Sequence, residues 1–132
     1  PFPFTLTARA ENFFTGTADL ADTIARLQAY QEAGAHILFA PGLRSIEDIR
    51  TVLASIDRPL NVLMGPRDGV VPVAELAALG VRRVSLGSSL SNAAHGALIR
   101  AGQELLETGT FGYTQDGIGG ARLAAIMAGD KA

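Results

Sequence analysis

His36-Ile-Leu-Phe-Ala40, stopped by Pro41-Gly42, is the stretch that decides the fold. It is a continuous apolar run rather than an alternating one, too short for a helix and closed by a turn pair. Such a run suits a parallel strand covered on both faces. Before it, Leu20, Ile24, Leu27 and Ala33 fall near the helical period, Asp19 and Asp22 suit a first turn, and Gly34 suits the position after the last turn. This predicts a helix over 19–33. Before that helix, Phe4-Thr-Leu-Thr-Ala8 reads as a strand whose C-terminal end carries the polar cluster Arg9-Ala-Glu11-Asn12.

The same alternation continues beyond Gly42. Ser45 with Glu47 and Asp48 approximates a capping box, and Ile46, Ile49, Val52, Leu53 and Ile56 form one apolar helical stripe. Leu60-Asn-Val-Leu-Met64 is a third strand, interrupted by Gly65-Pro66. Pro72 opens a short helix carrying Val73, Leu76 and Leu79, with Gly80 as its stop. Val81 to Leu86 is a fourth strand, and after Gly87-Ser88-Ser89 an Ala-rich helix runs from about Leu90 to Leu106, followed by Gly109. The tail, Thr110 to Ala132, holds a short helix around Ala121 to Met127. Strand and helix thus alternate four times, the signature of βα units with parallel strands. An α/β fold follows, either an open doubly wound sheet or part of a (βα)8 barrel. A full barrel takes about 250 residues, so four units make half of one. Residues 1–109 form the βα portion and 110–132 the tail.

Composition narrows the function classes. The chain has 132 residues, 48% hydrophobic and 18% charged, enough apolar content for a core. Eleven Lys and Arg against 13 Asp and Glu, with no basic run, argue against nucleic acid or an anionic membrane as partner. No apolar run is long enough to span a bilayer, and no signal-peptide pattern opens the chain. Without Cys there is no disulfide, thiolate metal site or cysteine nucleophile, which fits a reducing cytoplasm. Pro1, leading at once into a strand, suggests a chain that begins partway through a longer protein.

Ligands of parallel sheets and barrels sit at the C-terminal ends of strands. There Arg9 offers a fixed, bidentate donor for a carboxylate, phosphate or phosphonate, beside Glu11 and Asn12. The alternative is a structural pair between Arg9 and Glu11. Asn61, polar on an apolar strand, is a candidate for ligand contact or for a hydrogen bond inside a barrel. Gly87-Ser88-Ser89 suits either anion binding by backbone N–H groups or simple packing and capping. Gly117-Ile-Gly119-Gly120 lacks the strand and acidic residue of a dinucleotide fingerprint. His36 opens a strand at its N-terminal end, away from the expected active face, His95 lies inside the long helix with no His or carboxylate at helical metal-ligand spacing, and no nucleophile elbow surrounds Ser88 or Ser89.

Thr7-Ala-Arg-Ala-Glu-Asn12, the helix Asp19 to Ala35, Leu38-Phe-Ala-Pro-Gly-Leu43, Pro59-Leu-Asn-Val-Leu63, Glu75 to Ser85 and Gly109-Thr-Phe111 together resemble the isocitrate lyase and phosphoenolpyruvate mutase superfamily. The resemblance implies strands five to eight of a (βα)8 barrel enzyme. Such enzymes use Mg²⁺ to stabilise an enolate while a C–C or P–C bond of a small oxo- or hydroxy-carboxylate is broken or rearranged. Arg9 falls on the family's substrate-gripping arginine and is the implied catalytic residue. Glu11 falls on the acidic residue of the same motif, and Arg9, Glu11, Asn12 and Asn61 make up the implied substrate-binding set. The magnesium-binding Asp-x-Asp has no counterpart here, so the metal ligands are expected in an N-terminal half-barrel. Pro41 stands where many lyases place a glutamate, and Leu63 where some place an asparagine, which marks a divergent branch. The alternative reading is a non-catalytic binding or assembly protein that keeps the barrel. Half a barrel leaves open edges and an apolar inner surface, so a completing N-terminal half is expected. In this family the last helix often packs across a subunit boundary, which makes 110–132 a candidate homo-oligomer contact.

Overall fold

A computed structural model describes residues 2–16, 18–65 and 70–129. Pro66 of the predicted strand interruption, and the start and end of the chain at Pro1 and 130–132, lie outside them. The elements are β1 (Thr7–Arg9), α1 (Leu20–Glu32), β2 (Ile37–Phe39), α2 (Ile46–Ser55), β3 (Leu60–Leu63), α3 (Val73–Leu79), β4 (Arg83–Ser85), α4 (Ser89–Glu107), a 3₁₀ turn (Gly112–Asp116) and α5 (Gly120–Met127). Every strand and helix expected from the sequence is present. The strands are shorter: β1 begins at Thr7, although Leu6 O already accepts from the backbone N–H groups of His36 and Ile37. His36 is itself structural, its Nδ1 accepting from Leu6 N at 3.0 Å.

The helix ends form as their residues dictate. Asp19 caps α1 by accepting from Asp22 N, and Ser45 caps α2 by accepting from Asp48 N. On α1, Asp22 holds the Arg26 guanidinium above its ordinary pKa, chiefly through a 2.7 Å hydrogen bond one turn away. Gly80 closes α3 at φ +103°, a left-handed backbone that glycine adopts without strain. Gly42 is more tightly required: at φ +96°, an added Cβ would stand 2.7 Å from Phe13 Cβ.

All four strands are parallel and lie in the order β1-β2-β3-β4. This order has no reversal. A doubly wound sheet reverses direction at a switch point, so its absence removes the open-sheet alternative and leaves the singly wound progression of a barrel. Leu27 of α1, Ile49 and Val52 of α2 and Leu76 of α3 join Leu38, Leu60 and Val62 of the strands in one buried cluster. The three helices therefore cover the same face of the sheet. The other face carries Thr7, Arg9, Ile37, Phe39, Asn61, Leu63, Arg83 and Ser85, as the pairing register shows. It is more polar than the apolar inner surface expected from the sequence.

The chain packs as two compact units, Pro1–Ser89 and Leu90–Ala132, dividing at the start of α4 rather than after Gly109. In the second unit, Glu104 gathers the turn that follows α4. Its carboxylate accepts from Thr110 Oγ1 at 2.6 Å, Gly112 N at 2.6 Å and Tyr113 N at 3.0 Å. These bonds, the Thr110 hydroxyl first, hold its pKa below the ordinary carboxylate value. None of the described residues from 90 to 129 is buried, and Leu98, Leu106 and Met127 stand well exposed.

Two outcomes follow from this packing. Leu38→Ala removes a fully buried side chain from the centre of the sheet and is expected to cost about 2–5 kcal/mol in urea unfolding. Because the folded-state pKa of Glu104 is depressed, its contribution is present above the unfolded value of 4.5 and is lost as pH falls through the lower folded value. The amide shifts of Gly112 and Tyr113 in an NMR pH titration are expected to move with a midpoint below 4.5, and Glu104→Gln is expected to abolish that transition.

Candidate functional site

The uncovered sheet face forms a hollow of about 440 Å³ lined by Thr7, Arg9, Phe39, Leu63, Arg83, Ser85 and Gly87. Strand pleating explains the membership. Alternate residues of β1 to β4 point away from the helices, and the register carries Arg9, Phe39, Asn61 and Arg83 in one row across all four strands. Arg9 is the last residue of β1, at the end of a parallel strand where ligands bind.

Arg9 is braced on two sides. Its Nε donates to Glu11 Oε1, and its guanidinium carbon stands 5.0 Å from the Phe39 ring centroid. About half of each side chain stays accessible, 51% for Arg9 and 42% for Glu11. The ion pair is structural, yet it occupies only Nε and leaves the terminal amino groups of the fork open toward the hollow. A guanidinium held this way presents two parallel N–H donors to a carboxylate or phosphonate with little orientation left to lose. Exposed ion pairs add little stability, so what the Glu11 contact provides is orientation.

Asn12 is not brought to this hollow. It is buried beneath the start of α1, where its Nδ2 donates to Thr23 Oγ1 at 2.6 Å, Asp19 O at 3.1 Å and Asp22 Oδ2 at 3.3 Å. It ties the loop after β1 to α1. Asn61 belongs to the hollow's face but lies fully buried beneath its lining, with Oδ1 accepting from Ser85 Oγ at 3.0 Å. Its Nδ2 is buried without a partner. Pro41 is fully buried after β2, and Leu63 presents an aliphatic side chain to the hollow. His95 sits on α4 near Ser91 Oγ at 3.3 Å, and Ser89 Oγ donates to Leu86 O. Among the described residues, no three His, Cys, Asp or Glu side chains cluster closely enough to hold a metal ion.

Sequence reasoning did not single out Arg83, Phe39, Ser85 or Thr7. The signal for Arg83 was strand parity: it shares a face with Ser85, while Val84 between them turns toward the helices with buried Val62.

A profile of phosphoenolpyruvate phosphomutase matches residues 1–106. The chain belongs to that family. Its sheet and helices superpose on a candidate lyase/mutase from Burkholderia cenocepacia J2315 with a TM-score of 0.90 and 49% identity, over 97% of this chain and 46% of that one. Oxaloacetate acetylhydrolase, solved in complex with its product oxalate, is 26% identical with a TM-score of 0.80, over 93% of this chain and 43% of that one. 2,3-Dimethylmalate lyase, a member of the phosphoenolpyruvate mutase/isocitrate lyase superfamily, is 26% identical with a TM-score of 0.70, over 82% of this chain and 38% of that one. The family member described here thus spans less than half the length of these solved relatives. A comparison with curated proteins found no match. No helix among the described residues is long and apolar enough to cross a membrane.

If Asn12 serves the loop rather than the ligand, Asn12→Ala is expected to lower unfolding stability by about 1–3 kcal/mol. Anion affinity at Arg9 is expected to change less than twofold; calorimetric titration with oxalate in the barrel completed by its N-terminal half measures it.

Proposed function

We propose that this chain is the anion-holding half of a Mg²⁺-dependent lyase or mutase that acts on C–C or P–C bonds of small oxo- or hydroxy-carboxylates through an enolate-type intermediate. The observation that carries this reading is Arg9: a braced, half-exposed guanidinium at the end of a parallel strand, open to a hollow on the uncovered sheet face. Arg9 grips a carboxylate or phosphonate of the substrate, and Glu11 sets the plane of its fork. Asn61 fixes the Ser85 hydroxyl at the hollow's edge. The magnesium ligands are assigned to the N-terminal half, and the bound cation supplies Lewis-acid stabilisation of developing oxyanion charge there. The product named for one relative, oxalate, is of the size and charge that Arg9 suits. Exposed Leu98, Leu106 and Met127 support a homo-oligomer contact in the second unit.

A second reading, a non-catalytic binding protein that keeps the barrel, is favoured by Pro41 and Leu63. Both place apolar groups where the resemblance would put a glutamate and an asparagine. The two readings separate on chemistry rather than on binding, because Arg9 serves both.

In the protein completed by its N-terminal half, Arg9→Ala is expected to weaken oxalate binding at least tenfold, measured by calorimetry with Mg²⁺ present. Arg9→Lys, which keeps the charge and loses the fork, is expected to fall between. Unchanged affinity in Arg9→Ala would remove Arg9 from the site. Turnover of small oxo- and hydroxy-acids, followed by release of a keto product, distinguishes the enzyme from the binding protein.

A further inference from the structure

The hollow holds a second guanidinium that the proposed function does not use. Arg83 is the first residue of β4 and lies in the row Arg9, Phe39, Asn61, Arg83. Among the described residues no hydrogen bond or ion pair engages it. Its registered neighbour, Asn61, is fully buried and keeps Nδ2 without an acceptor. Arg83 is thus an exposed cation on the open face without a protein partner among the described residues, and no acidic side chain lies on the inner face of β1 to β4.

Position decides what answers Arg83. Three strand spacings of about 4.8 Å put the Arg9 and Arg83 backbones roughly 14 Å apart, and Arg9 ends its strand while Arg83 begins its own. Ligands occupy the C-terminal ends of barrel strands, and the opposite end serves stability. Closing the barrel over Arg83 removes it from water, and a guanidinium buried without a counter-charge costs several kcal/mol. We infer that Arg83 forms a docking site for one inward-facing carboxylate side chain of the N-terminal half-barrel, a buried ion pair that registers the two halves. This rests on the proposed function's reading that the chain completes a barrel. The aspartate or glutamate accepts from the Arg83 fork.

The test uses the protein carrying both halves. Arg83→Met is expected to lower the Tm by about 10 °C, because it strands the partner carboxylate, while oxalate affinity stays within twofold. Neutralising the inward acidic residues of the N-terminal half one at a time in the Arg83→Met background is then expected to restore most of the Tm at a single position. Should Arg83→Met not fold, the unaltered protein still decides the matter. A slowly exchanging Arg83 Nε proton at neutral pH, seen by NMR, supports the pair, and a freely exchanging one overturns it. An unchanged Tm in Arg83→Met, or a tenfold loss of oxalate affinity at unchanged Tm, likewise overturns the inference, the latter by giving Arg83 to the substrate. A native mass of 13.7 kDa, with no second half, would instead overturn the barrel reading itself before any variant is made.

Discussion

Parallel strands joined by helices on one side leave a sheet with one covered face and one open face, and this asymmetry governs the rest of the molecule. Right-handed crossovers in an unreversed order carry α1, α2 and α3 to the same side. That side becomes the core, where Leu27, Leu38, Ile49, Leu60, Val62 and Leu76 are excluded from water. The other side receives the alternate residues of each strand, which are free to be polar. Arg9, Asn61, Arg83 and Ser85 share a surface for this reason alone, although up to 76 positions separate them in the chain. The same asymmetry explains why Phe39 is buried on the open face: the Arg9 guanidinium lies over its ring.

Much of this was legible in the sequence because local chemistry and tertiary packing agree. Asp19, Ser45 and Gly80 act as caps and stops where their side chains or backbone freedom predicted. The apolar run ending at Pro41 is a strand because nothing longer could be built from it. The choice between an open sheet and a barrel was not legible, since both use the same βα repeat. It is settled by strand order, a long-range property that no window of sequence contains. Asn12 shows the opposite limit. As a polar residue three places beyond Arg9 it looked like a ligand contact, but the backbone turns after β1 and buries its amide against Thr23 and Asp19. Arg83 was passed over for a related reason. In Val-Arg-Arg-Val-Ser the two arginines look alike, and only the register of β4 with β3 separates the one facing the hollow from its neighbour.

The ionisable groups of the hollow limit the chemistry this half can perform. Its charged lining residues, Arg9 and Arg83, are both guanidiniums, which carry N–H donors and no acceptor. Of the two hydroxyl residues on the open face, Thr7 and Ser85, it is Ser85 that donates to Asn61 rather than to a base. It is therefore not an activated nucleophile. Glu11 is the carboxylate paired with Arg9, and its Oε1 accepts from the Arg9 Nε. With Pro41 buried and Leu63 contributing apolar surface, the described lining of the hollow consists of donors and apolar groups suited to holding an anion. Under the proposed function, Arg9 selects the kind of anion that enters, and the half that would close over the open face supplies the base and the metal.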